Sequence, residues 1–420
     1  MKRLTALMFA IVFTAAAIVC GGCESDKSTA SSMQNQYIDF NTDMQCIYST
    51  TTSYVPMTKS DKGYYYVGED GIVIYVDAST QKATPLCSKP NCTHDDPDTC
   101  DAYLKTAGTI NTLFGSLGQV IQYYDGSLYI LCGEDNVSGT EYNVYLMKMN
   151  PDGTGHEKVT DNFDFEVIYW FIHRGYLYYA TDSSVLRISM DNLKGEPETV
   201  YKAEHYVKNG QNTFPSMLPF GDRLYLEVDD VDDSGAGEGS YSVAVNLDTL
   251  EAARLEIDGK TPSFESFGDE YMLFSTLEKD GKKNIKTYYK TDADGNNPEK
   301  FLEMTDDEIE TVWFDGKYYY FNNLYSAGSG TPQVITVYDK DLNKVDSFKL
   351  PKLDLDTCTF FTAQDENYFL FEYFNDNDEH MLVMADKSQI GSIGGETIKF
   401  TELCKLKWAE KKNSNYYVEG

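Results

Sequence analysis

Three cysteines and one histidine fall within fourteen residues, as Cys87-Ser-Lys-Pro-Asn-Cys92-Thr-His94-Asp-Asp-Pro-Asp-Thr-Cys100. Three thiols and an imidazole are the donor set of a tetrahedral zinc or iron site, because thiolate sulfur and neutral imidazole nitrogen suit those ions. The intervening lengths of four, one and five residues match no standard zinc-finger spacing. The same thiols could be oxidised instead. Outside the cytoplasm, a Cys87–Cys92 or Cys92–Cys100 disulfide would staple the loop. With Cys46, Cys132, Cys358 and Cys404, seven cysteines follow Cys23, and an odd number leaves at least one thiol unpaired if all bonds are internal.

Other chemistry is fainter. Asp230, Asp232 and Ser234 place oxygen donors at positions one, three and five of a loop with Gly235 at six, as a calcium loop would. Position twelve is Tyr241 where the bidentate Glu belongs, so a solvated acidic loop is the competing account. His156, His173, His205 and His380 stand apart, in no H-E-x-x-H pattern. The chain has no G-x-S-x-G elbow, no phosphate-binding loop and no G-x-G-x-x-G, so no catalytic residue is named.

The elements that must position these residues repeat. A turn with Gly, Asp, Glu or Asn is followed by an aromatic and aliphatic run at Gly63–Tyr66, Gly126–Tyr129, Gly175–Tyr178, Asp222–Tyr225, Glu270–Leu273, Gly316–Tyr319 and Asn367–Leu370. The spacings are 63, 49, 47, 48, 46 and 51 residues, and a period of roughly 40 to 50 is that of a four-stranded propeller blade. β-branched and aromatic residues alternating between turn clusters are strand signals, and no 3.6-residue periodicity competes with them. The expectation is all-β: a β-propeller of four-stranded blades, seven of them, with six or eight as alternatives. The long first spacing marks a Cys-rich insert at 87–112. Large aromatics fill the wedges between blades, which accounts for most of the 33 tyrosines. An exposed group such as Tyr318–Tyr320 could instead stack on sugar rings at the channel mouth.

Two hairpins, Asn150-Pro-Asp-Gly-Thr-Gly-His-Glu-Lys-Val-Thr160 and Thr291-Asp-Ala-Asp-Gly-Asn-Asn-Pro-Glu-Lys-Phe301, resemble the "DG…LT" turn of TolB-like propeller repeats. They are also similar to low-density-lipoprotein-receptor-like propeller modules. The resemblance covers about Thr50 to Leu403 and implies a protein- or ligand-binding scaffold, often of uncharacterised function. The Asp-Gly pair supplies the positive φ that a tight hairpin needs.

The amino terminus is an address. Lys2 and Arg3 precede an apolar stretch, Leu4 to Val19, too short for an ordinary membrane span and fitting a signal peptide over 1–22. Cys20-Gly-Gly-Cys23 follows and resembles the lipobox of bacterial lipoproteins, which implies lipidation of Cys23; Cys20 stands where that pattern prefers Leu. A plain secretory signal with incidental cysteines is the other reading. Residues 23–49, polar and rich in Ser and Thr, read as a tether, 50–404 as the propeller, and 405–420 as a tail or closing segment. Either the segment Tyr37–Ser49 or the tail could lend an edge strand to the last blade.

Net charge limits the partners. The 420 residues carry 67 Asp and Glu against 35 Lys and Arg, a formal charge of −32. Removal of Lys2 and Arg3 with the leader takes that to −34. Such acidity excludes nucleic acid, which needs basic patches, and docking on anionic lipid through protein charge. The membrane is reached through the N-terminal lipid instead. The function expected is a non-enzymatic, cell-surface scaffold for a protein or glycan. The alternatives are a carbohydrate-active lyase or glycosidase at the channel mouth, and a metal- or redox-linked envelope factor centred on the Cys/His insert.

Overall fold

The computed structural model describes residues 39–45, 57–68, 71–96, 99–104, 120–135, 142–161, 163, 169–207, 213–267, 271–305, 311–322, 334–350, 361–375, 377 and 379–406. The leader, Cys20, Cys23, Cys46 and Cys358 lie outside them.

Seven four-stranded antiparallel sheets follow one another along the chain, at 57–85, 121–158, 170–202, 216–254, 263–305, 311–349 and 361–405. Each sheet is a meander of consecutive strands, so each is one blade of a seven-bladed propeller. Each instance of the repeated motif that begins within the described residues does so at or beside the turn into a second strand; Glu270 lies outside them. Gly175–Tyr178, for example, leads into Tyr176–Ala180. In blades two and three those turns are two residues long, Asp125-Gly126 and Arg174-Gly175, with all four φ values positive (43°, 75°, 46° and 86°). That geometry matches the strand twist, and glycine takes it without a Cβ penalty.

The second strand explains the tyrosines. It is flanked by strands in its own sheet and by blades on both faces, so Gly63–Val67 is buried at every position. Tyrosine fits this slot because the ring fills the wedge while the hydroxyl reaches a polar turn next door. Tyr225 Oη thus donates to the carbonyl of Ala293 in the following blade at 2.6 Å. Tyr319 and Tyr320 are fully buried, and Tyr320 Oη donates to Asp315 in the turn of its own blade. The Tyr318–Tyr320 run is a packing element, not an exposed sugar platform.

The innermost strands have no sheet neighbour toward the central channel, and unpaired backbone N–H groups are costly when buried. Polar side chains on them answer this across blades. Thr58 Oγ1 accepts from the N–H of Tyr123 (2.9 Å), Gln122 Oε1 from Ile172 (2.6 Å), and Ser266 Oγ from Phe314 (3.0 Å). At the outer rim, the residue leaving a fourth strand seats on the next blade's turn between third and fourth strands. Gly153 meets Leu86 and Gly295 meets Leu255; an added Cβ would lie 2.4 Å from Leu86 O or 2.9 Å from Leu255 Cδ2. The Asp-Gly turns therefore serve both hairpin geometry and blade-to-blade contact.

Apolar clusters fill every wedge of the ring, including the one between blades seven and one, where Tyr64, Tyr66 and Ile74 pack with Leu370, Leu382 and Met384. Among the described residues no strand is exchanged across that seam: blade one is built within 57–85 and blade seven within 361–405. Residues 39–45 lend no strand to the last blade. They cross the face that carries the turns between first and second strands. Asn41 O accepts from Asp125 N, Thr42 O from Arg174 N, and Gln45 Oε1 from Thr58 Oγ1 and Lys59 N. Buried Asp43 pairs with Arg174 at 3.1 Å. Buried His173 accepts the Met44 N–H at Nδ1 (3.2 Å) and donates from Nε2 to Gly221 O (2.7 Å). Burial lowers its pKa below the ordinary imidazole value, consistent with the neutral ring this pattern requires.

Candidate metal centre

The Cys/His insert leaves the fourth strand of blade one at Pro85 and folds back within twenty residues. Asn91 and His94, with φ of 61° and 58°, bend the chain in the left-handed region. The N–H groups of Thr99 and Cys100 both bond to Asp96 O, forming a second turn that carries Cys100 inward. Beyond it, the backbone zips onto blade one: Val73 N–H donates to Ala102 O at 2.8 Å and Leu104 N–H to Gly71 O at 3.0 Å. Lys89 braces the base, its Nζ 2.6 Å from Thr99 O and 2.7 Å from Asp101 Oδ1.

These turns bring all four sequence candidates together. The ligand atoms of Cys87, Cys92, His94 and Cys100 lie within 4.8 Å of one another. His94 Nδ1 is 3.3 Å from Cys100 Sγ. A zinc tetrahedron with Zn–S bonds of about 2.3 Å has sulfur–sulfur edges of about 3.8 Å, so the donors need only small movements to close on an ion. Cys100 is buried and the other three are half-buried. Cys87, Cys92 and Cys100 are thiols here, with no disulfide among them.

The sulfur environments differ. At Cys87 burial works against the thiolate, but the N–H groups of Lys89 and Asp101 and the Cys92 and Cys100 thiols bring its pKa below the usual thiol value. At Cys100 burial pushes it up to about 12 despite the Ala102 N–H, with the Cys92 and Cys87 thiols adding to the rise. A cation at the centre of the four donors would favour the thiolate at all three sulfurs.

Among the described residues, no other group of three or more Cys, His, Asp or Glu gathers its ligand atoms this way. The calcium-like loop is committed elsewhere. Buried Asp230 accepts the His205 N–H at 2.7 Å and faces His205 Nδ1 at 3.1 Å. Asp232 Oδ1 accepts the Ser234 N–H (2.8 Å) and hydroxyl (2.6 Å) and the Ala236 N–H (3.0 Å), an Asx turn closing its hairpin.

The sequence did not point to the braces. Lys89, Asp101 and Tyr103, whose hydroxyl reaches His94 O at 3.4 Å, read as ordinary loop residues. A basic and an acidic residue flanking the thiols is the one signal available for the first two.

No protein-family model matches the chain, and no curated protein does. Among solved structures it is similar to the tricorn protease (7% identity, 86% of this chain and 35% of that one, TM-score 0.46). It is also similar to TolB from Acinetobacter baumannii (11% identity, 83% and 81%, TM-score 0.36). A third is an oligogalacturonate lyase in complex with manganese (14% identity, 66% and 74%, TM-score 0.40). The chain spans about a third of the length of the tricorn protease. The seven-blade assignment rests on the sheets themselves: this is a seven-bladed β-propeller carrying a compact Cys3His cluster at one blade edge.

Proposed function

We propose that the protein is a lipid-anchored β-propeller on the outer side of a bacterial cell membrane, serving as a non-enzymatic scaffold for a protein or glycan ligand. One observation carries the binding role: among the described residues, the hairpins between second and third strands in blades four and five run past their buried portions into solvent. In blade five, Met272–Asp280 is buried over its first five residues and exposed over its last four, and the partner strand Lys283–Thr291 begins exposed. Leu277 on this arm is 61% exposed. In blade four, Arg223–Val231 and Gly237–Asn246 flank an exposed turn. The tips differ in charge. Blade four offers Asp229, Asp232, Asp233 and Glu238, whereas blade five sets Lys279, Lys282 and Lys283 beside Glu278 and Asp280 and is the less acidic of the two. Loops and arms on a rigid scaffold are where binding residues concentrate. The membrane address rests on Lys2, Arg3, the apolar run and Gly22-Cys23.

The test is a panel of polysaccharides and purified surface proteins, assayed for both binding and product release. Wild type is expected to bind a member of the panel without releasing sugar. Replacing residues 278–283 by Asn-Gly is expected to weaken that binding at least tenfold. Release of unsaturated or reducing sugars overturns the non-enzymatic reading, and unchanged binding by the trimmed arm overturns the arm's role. Cys23→Ala is expected to free the protein from membranes; a variant that stays acylated and bound assigns the anchor to another residue.

A further inference from the structure

We propose that Cys87, Cys92, His94 and Cys100 bind a single structural zinc ion, and that this ion clasps the seam where the propeller ring closes. The donor count sets the role. Four protein ligands fill a tetrahedron, whereas a catalytic zinc keeps one position for water or substrate. Three thiolates and one imidazole are one of the closed sets used in structural sites. On binding, each of the three thiols gives up its proton, and His94 contributes a neutral ring nitrogen.

The site's surroundings set its purpose. Cys100, Ala102 and Tyr103 pack in the same cluster as Tyr66, Ile72 and Ile74 of blade one and Leu370, Leu382 and Met384 of blade seven. Cys87 and Cys92 pack against its edge, as does Leu403 of the last strand. One residue before Cys87, Leu86 seats on the Gly153 turn of blade two. The insert thus shares one apolar cluster with blades seven and one, and the residue that precedes it meets blade two. Among the described residues no terminal strand is exchanged between blades, and side-chain contacts close the seam. An insert ordered by a metal would hold Cys100, Ala102 and Tyr103 in place within that packing. Without the ion, the loop has little apolar content of its own between Ser88 and Asp98 to keep it folded.

The expectation is one zinc per chain in full-length protein purified in detergent from medium containing both zinc and iron, measured after passage over a chelating resin. Cobalt exchange is expected to give the thiolate charge-transfer and tetrahedral d–d absorption of a sulfur-rich site. Cys92→Ser and His94→Gln, both at half-buried positions, are expected to lose the metal and the cobalt spectrum. His94→Cys is expected to retain both. Removing zinc with a chelator is expected to raise amide exchange in Gly63–Val67, Val73–Asp77 and His380–Asp386 while leaving Gly237–Asn246 unchanged.

Metal-free wild type, iron in place of zinc, or an intact mass two hydrogens light with a disulfide mapped to this loop overturns the zinc assignment. So does full zinc in Cys92→Ser and His94→Gln. Amide exchange that is unaltered by chelation, or raised equally in blade four, overturns the clasp while leaving the site. None of these readouts depends on a ligand for the arms, so the scaffold reading stands or falls separately.

Discussion

Two neighbouring seams of the ring use the same charged device in different settings. Between blades six and seven, Asp315 stands in the first turn of blade six. Its Oδ1 caps the N–H groups of Lys317 and Tyr318, and its Oδ2 accepts from Tyr320 Oη at 2.5 Å and Lys387 Nζ at 2.8 Å. Between blades seven and one, Asp365 holds the equivalent turn of blade seven. Its Oδ1 caps Asn367 and Tyr368, and its Oδ2 accepts from Tyr64 Oη at 2.5 Å and Lys59 Nζ at 2.7 Å. The difference lies in where the donors come from. At the inner seam the tyrosine belongs to the aspartate's own blade and only the lysine crosses. At the closing seam both donors cross, from residues 301 and 306 positions away in sequence. The inner seam is also joined by the polypeptide; the closing seam is not. The closing seam therefore gathers its cross-blade bonds on the adjacent carboxylates of Asp365 and Glu366, with the Cys/His insert packed into its apolar cluster.

Removing each carboxylate breaks the comparison open. The Lys387 and Asp315 side chains are 5% and 6% exposed, and Lys387 also donates to Gln364 at 2.8 Å. Asp315→Ala leaves that ammonium buried without a counter-charge, a change that costs about 3–5 kcal/mol. Lys59 is 20% exposed and keeps Glu366 at 3.0 Å after Asp365→Ala, so the expected loss is smaller, about 3 kcal/mol or less. Denaturant unfolding of the two variants measures the order. If Asp365→Ala is the more damaging, the absence of a covalent link at the closing seam outweighs burial.

Next in size are the tyrosine hydroxyls. Hydrogen bonds to a charged group contribute about 1.5–3 kcal/mol. Tyr64→Phe and Tyr320→Phe are each expected to cost that much, the rings staying packed. The sharper measurement is kinetic. Tyr64→Phe removes a bond between blades at the two ends of the chain, whereas Tyr320→Phe removes one within a blade. Amide exchange should rise in Tyr368–Phe374 and Gly63–Val67 for Tyr64→Phe, and remain within Tyr319–Asn322 and its own sheet for Tyr320→Phe. Equal spread in both would remove the distinction between the seams.

The blades were legible in the sequence because the aromatic run recurs wherever a second strand begins, and a turn plus an apolar run is a local signal. The four candidate donors were legible for the same reason, lying within fourteen consecutive residues. What the period could not convey was environment. Tyr319 and Tyr320 looked like a surface aromatic group because strand patterning gives the strand but not the blades stacked on both of its faces. Lys59 and Asp365 were invisible as a pair, since no local rule connects residues separated by most of the chain. Residues 39–45 read as tether from their polarity. Here that polarity serves the ring: Asp43 and Gln45 satisfy Arg174 and the inner strand of blade one.

The smallest effect is the dependence of the two seams on acid. Burial opposes ionisation of Asp315, but the charge and hydrogen bond of Lys387 outweigh it, and the carboxyl sits below its usual value. Asp365 is lowered in the same way, burial being overcome by Lys59, then by Tyr64 and the turn N–H of Asn367. A carboxyl depressed in the folded state adds stability that is fully present above its unfolded pKa of about 3.9 and drains away as pH falls through the folded value. Asparagine keeps the acceptor for the turn but cannot titrate. The stability difference between wild type and Asp315→Asn, or wild type and Asp365→Asn, should therefore be constant from pH 7 to about 5 and shrink below about 4. Urea unfolding at each pH reads this directly. A difference that stays constant to pH 3 would mean that the carboxylate acts through hydrogen-bond geometry alone, with its charge contributing nothing to either seam.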